Sequence, residues 1–124
     1  MKNILLVFAG GGLGSVCRYV TSMLLPAEKY SFPFATITVN IIGSMLIGLL
    51  MSVFLKENNG QEGWKLLLIT GFCGGFTTFS AFSKESFLMW QQQQYFSLAI
   101  YALLSFICCI GAVAFGFFVG KQVA

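Results

Sequence analysis

Four runs of apolar residues take up most of this chain, with a short polar stretch between each and the next. They cover about 4–25, 34–55, 64–90 and 95–119. Each holds the roughly 20 residues that an α-helix needs to cross a hydrocarbon core of ~30 Å. A chain of 124 residues that is 57% hydrophobic and 9% charged, with mean hydropathy +0.85, has little from which to build a water-facing surface. The expectation is an all-α membrane protein, one four-span domain over residues 1–124. Pro26 closes the first run and Pro33 precedes the second. Tyr30, Trp64, Trp90 and Tyr95 stand near run ends, where an aromatic belt would lie. The first run is too long for a secretory leader, lacks a clear small-residue cleavage site and carries Arg18.

The third run contains its own contradiction. Gly71-Phe72-Cys73-Gly74-Gly75-Phe76-Thr77-Thr78-Phe79-Ser80-Ala81-Phe82 lies inside an apolar span, yet glycines and hydroxyls crowd it. Glycine and paired threonines weaken a helix where the bilayer demands that every backbone group be paired. Irregular backbone at membrane depth is tolerated only where protein or a hydrated cavity covers it. The third span is therefore expected to be a broken helix, and broken helices are where membrane proteins handle ions.

Composition excludes several classes. The net charge of +3 comes with no basic stripe interleaved with aromatics, so no nucleic acid is expected as a partner. The four cysteines, Cys17, Cys73, Cys108 and Cys109, sit in apolar runs. With no C-x-x-C and no histidine they suggest small hydrophobes rather than a zinc site. No span carries a nucleophile–base pair or a metal cluster, so an enzyme is not expected.

Small residues recur four apart: Gly10 with Gly14, Ser44 with Gly48, Gly71 with Gly75, and Ala112 with Gly116 and Gly120. Such pairs let helix backbones approach closely in lipid. Four helices cannot easily enclose a pore alone, so a homo-oligomer is expected. The cations give almost no orientation. Lys2, Lys56, Lys65 and Lys121 fall on the side of the termini, against Lys29, Lys84 and Arg18 on the other. So small a bias fits either a termini-inside protein or a chain that inserts both ways up.

Several residues could carry chemistry. Asn40 shares a helical face with Thr36 and Ser44, as interhelical glue or as an anion ligand through its amide. Phe79 and Phe82 share a face just after the break. They either pack or turn their electropositive ring edges toward an anion. Ser97, Tyr101, Ser105 and Cys109 form a stripe on the fourth span that is too polar for lipid. It meets protein or a narrow wet track. Arg18 is the one charge well inside the first span, and intramembrane charges default to functional hypotheses. Lys84 and Glu85 read as a solvated helix end, or Glu85 as part of a pore mouth.

At these residues the chain resembles the small bacterial fluoride channels of the Fluc (CrcB) family. The likeness runs along essentially the whole chain. It includes Gly-Gly-x-Gly-Ser-x-x-Arg-Tyr at 11–19, Thr38-Val39-Asn40-x-x-Gly43, and the highly specific motif from Gly71 to Ser80. The resemblance implies an antiparallel, dual-topology homodimer with two fluoride pathways. It also implies a structural Na+ at the twofold axis, held by the backbone carbonyls of Gly74 and Thr77 from both subunits. Phe79, Phe82, Asn40, Ser80, Tyr101 and Ser105 match the pathway, while Arg18 and Glu85 match vestibule charges. Cys109 stands where some relatives would have a hydroxyl.

The function implied is passive, fluoride-selective export across the bacterial inner membrane, relieving fluoride toxicity. A small dual-topology, proton-coupled multidrug-type exporter has similar length and span count. It needs a membrane-embedded carboxylate as proton relay, and no Glu is expected mid-span. A non-transporting assembly subunit held together by the small-residue pairs is the third reading, but it gives the broken helix no purpose.

Overall fold

The computed structural model describes residues 1–56 and 61–123, so residues 57–60 of the expected connector at 56–63 lie outside the described residues, while Lys56 closes one helix and Glu62 and Gly63 open the next. Among the described residues every regular element is helical. Helix α1 spans Lys2–Leu24, the one-turn α2 spans Ala27–Tyr30, and α3 spans Phe34–Lys56. The third crossing is assembled from pieces: α4 (Glu62–Lys65), a π-helical segment (Leu66–Cys73), α5 (Gly74–Phe76) and α6 (Phe79–Gln91). Helix α7 spans Tyr95–Val123. Among the described residues four stretches are long and apolar enough to cross a membrane: Lys2–Tyr30, Phe34–Leu55, Glu62–Gln91 and Tyr95–Val123.

The connections follow from local chemistry. Pro26 sits at φ −65° and ψ 130°, which stops α1 and caps α2. Ser31 ends α2 in the left-handed region at φ 53°, and Pro33 then leads into α3. The glutamine connector is a tight turn. Gln93 adopts φ 59°, and the Gln94 N–H returns to the Met89 carbonyl at 2.9 Å.

The helices pack as two close pairs, and glycines set both. A Cβ at Gly10 would collide with the Leu67 carbonyl, and one at Gly14 with the Phe72 carbonyl. From the other side, a Cβ at Gly75 would strike the Gly11 carbonyl. So α1 lies backbone-to-backbone on the π-helical segment and α5. The second pair is α3 with α7, where Gly48 abuts the Val113 carbonyl and Gly116 abuts the Met45 carbonyl. Lipid tails give no hydrophobic drive for helix association, so close van der Waals contact of this kind is what holds such pairs. The small-residue pairs legible in the sequence are thus used inside one chain. The reading of them as glue for a non-transporting assembly loses its motif.

Candidate functional site

The break falls at two residues. Thr77 (φ −81°, ψ 157°) and Thr78 (φ −153°, ψ 116°) are extended between α5 and α6. Helix α6 restarts with Thr78 as its N-cap, whose Oγ1 accepts from the Ala81 N–H at 3.1 Å. The Thr77 hydroxyl returns to the Cys73 carbonyl at 2.9 Å.

Asn40 closes the gap from the neighbouring helix. Its Oδ1 accepts from the Thr78 N–H at 2.7 Å, and its Nδ2 donates to the Thr78 carbonyl at 3.1 Å. The amide acts as a surrogate peptide group, pairing both backbone groups of one extended residue. This pairing also fixes which end of the amide is which, because only the oxygen can accept from N–H. One consequence falls on Gly74. In a continuous helix its carbonyl would receive the Thr78 N–H, which goes instead to Asn40.

On one side of the break lies a cavity of about 740 Å³. Asn40, Thr77, Thr78, Phe79, Phe82 and Ser105 line it, with Ser44 and Cys109 further along. Phe79 is 78% exposed on the single chain, and its ring lies 5.5 Å from that of Phe82. Phe82 in turn rests 4.9 Å from the Tyr101 ring. The Ser105 hydroxyl oxygen is buried and has no protein partner. The polar stripe on α7 therefore divides. Tyr101 is buried and holds another group, Ser105 and Cys109 face the cavity, and Gly116 packs on α3.

On the other side lies a cavity of about 320 Å³, walled by Ser15, Arg18 and Ser22 of α1, Thr36 of α3, and Lys84 and Glu85 of α6. Thr78 belongs to the walls of both cavities. Glu85 is half-buried rather than a solvated helix end. Thr36 Oγ1 donates to its Oε1 at 2.8 Å, and the Tyr101 hydroxyl donates to its Oε2 at 2.6 Å. Three helices thus meet at one carboxylate. Glu85 falls inside the stretch Glu62–Gln91, toward its end rather than mid-span.

Of the residues expected on the pathway, Asn40, Phe79, Phe82 and Ser105 come together on one cavity. Tyr101 lies beneath it, with 0% exposure. Ser80 is exposed, and its hydroxyl sits 3.2 Å from that of Thr78. Arg18 and Glu85 share the second cavity. Gly74, at the start of α5, is exposed, and Thr77, in the break itself, is half-buried. Two residues that build this geometry are not singled out by the sequence. Thr36 was visible only as a member of the Asn40 row, and Thr78 only as one of a pair of threonines. Among the described residues no group of acidic, histidine or cysteine side chains could hold a metal ion.

A broken transmembrane helix, braced by a side-chain amide between a donor- and ring-lined cavity and a charged one, defines a membrane protein built to handle a small ion. The chain matches the family described as "CrcB-like protein, Camphor Resistance (CrcB)" over residues 5–117 and belongs to that family. It is 45% identical over 118 residues to a "Fluoride-specific ion channel FluC" of Azobacteroides pseudotrichonymphae genomovar. CFP2, with 94% of each chain covered. A protein of the same name from Coxiella burnetii (strain Dugway 5J108-111) is 41% identical over 122 residues, covering 97% of this chain and 98% of its own. A third, from Flavobacterium psychrophilum, is 42% identical over 125 residues, covering 98% and 99%.

Proposed function

We propose that this protein is a passive, fluoride-selective channel that lets fluoride leave the cell and so relieves its toxicity. It is a multi-pass membrane protein, and the plasma membrane is its proposed site. The observation that carries the proposal is the cavity on which Asn40, Ser105, Phe79 and Phe82 converge beside the helix break. Fluoride is small and tightly hydrated, so a pore must replace its water with donors. Hydroxyls, a side-chain amide and ring edges are weak donors individually, which permits exit as well as entry. The buried Ser105 hydroxyl has donor capacity to spare. Among the described residues Glu85 is the one half-buried carboxylate, and it is tied to two hydroxyls. A proton-coupled exporter would also use such a carboxylate. The family favours the channel, because relatives across the full length carry the name of a fluoride-specific ion channel.

The working unit is proposed to be an antiparallel homodimer. The exposure of Phe79 beside an ion-handling cavity supports it, because a single chain leaves that wall uncovered. A structural Na+ on the twofold axis is proposed to sit between the Gly74 and Thr77 carbonyls of the two copies. The residues fit the ion: the Gly74 carbonyl has lost its helical donor to Asn40, and oxygen ligands suit a hard cation. When bound, the ion would hold the two helix breaks together. Thermal unfolding in sodium against N-methylglucamine buffers tests this, with a higher midpoint in sodium expected.

Liposomes loaded with potassium fluoride test the main function. After valinomycin, a fluoride electrode should record rapid efflux, while chloride-loaded vesicles stay sealed. No fluoride efflux, or comparable chloride efflux, would overturn the reading.

A further inference from the structure

We infer that Lys84 is an electrostatic collector for the permeant anion, raising its entry rate from the wall of the charged cavity. The inference rests on fluoride conduction as proposed above. Lys84 lies on the wall of the 320 Å³ cavity with Ala81 and Glu85 of α6 and with Thr78, the N-cap of that helix. The opposing wall is the α1 face of Ser15, Arg18, Tyr19 and Ser22. Thr78 is shared with the cavity that holds Asn40 and the phenylalanines. An anion held in the charged cavity is therefore one residue from the donor-lined one.

The charges in this cavity do not cancel. Two cations, Arg18 and Lys84, share it with one carboxylate, Glu85. Both carboxylate oxygens are occupied by hydroxyl donors, Thr36 and Tyr101, rather than by a cation. Lys84 is exposed on the cavity wall, so its charge is not buried. A cleft of net charge between low-dielectric walls concentrates counter-ions and raises their entry rate. Replacing Lys84 by glutamine removes the excess positive charge, and replacing it by glutamate reverses the sign. Arg18 alone would then face two carboxylates. One unit charge about 8–10 Å from an ion in water changes its local concentration about twofold.

The test is fluoride efflux at sub-saturating fluoride under two ionic strengths. Vesicles carry 10 mM potassium fluoride, osmotically balanced with sucrose or with potassium isethionate near 1 M. The Debye length falls from ~30 Å to ~3 Å between these conditions. In sucrose, Lys84→Gln should slow efflux about twofold and Lys84→Glu about fourfold. In isethionate all three proteins should agree within about 20%. Lys84→Arg should match the parent throughout. Wild-type efflux from Lys84→Glu in sucrose would overturn the inference. A deficit that persists unchanged in isethionate would also overturn it, since packing defects are not screened. Failure of the parent protein to pass fluoride would instead sink the channel reading itself, and this inference with it.

Discussion

The side-chain amide of Asn40 pairs with both backbone groups of Thr78, at 2.7 Å to its N–H and 3.1 Å to its carbonyl. A residue on α3 thereby satisfies a break in a different helix. In an apolar surrounding each of those backbone groups would cost about 1–3 kcal/mol if left unpaired. Asn40→Leu keeps similar bulk and removes both bonds. It should lower unfolding stability in detergent by about 2 kcal/mol or more, with faster proteolysis near 77–78. Parental stability in Asn40→Leu would show that water or a partner chain pairs Thr78 just as well.

Helix contact through glycine gives a sharp contrast. Gly14→Ala and Gly116→Ala place a methyl group against backbone atoms that cannot move aside. Each should cost about 1–3 kcal/mol or more. Gly12→Ala and Gly111→Ala meet nothing within 4 Å in the single chain. They should be neutral, or stabilising by up to about 1 kcal/mol through helix propensity. Midpoints of denaturation in mild detergent distinguish the two sets. Marked loss from Gly12→Ala or Gly111→Ala would place a second copy against that surface.

The phenylalanines test ring electrostatics against packing. Phe79→Ile and Phe82→Ile keep most of the apolar bulk and remove the quadrupole. If the rings only pack, stability should change by under ~1.5 kcal/mol and flux should survive. The expected outcome is a sharp fall in fluoride efflux, with an unchanged profile on size exclusion. Parental efflux from both variants would reduce these residues to core packing.

The turn before α7 carries a left-handed glutamine, Gln93 at φ 59°. A residue with a Cβ costs roughly 1–2 kcal/mol there. Gln93→Gly should recover part of this, raising stability by about 0.5–1 kcal/mol after the added freedom of the unfolded chain. Thermal melts of the two proteins check the sign.

Much of this architecture was legible in the residues. Four apolar runs have one low-energy solution in a bilayer, because only a helix pairs its backbone internally. Gly71, Gly74, Gly75 and the two threonines marked where one helix must fail, and it fails at Thr77 and Thr78. The spacing of Gly10 with Gly14 and of Ala112 with Gly116 and Gly120 announced close helix contact. These are local or periodic properties, and periodicity survives in one dimension.

What only the tertiary structure decided are the pairings across helices. Spacing put Asn40 and the phenylalanines on faces, but nothing in it said that the amide would be spent on Thr78. Glu85 looked like a solvated end by its place in the chain. It became half-buried because Thr36 and Tyr101, 49 and 16 residues away, bring hydroxyls to its two oxygens. The small-residue pairs fitted contact within a chain or between chains equally well, and the fold spends them within one. A hydrogen bond or a glycine contact is specified by two partners at once. A sequence displays each partner's capacity, and only the packed helices decide which two capacities meet.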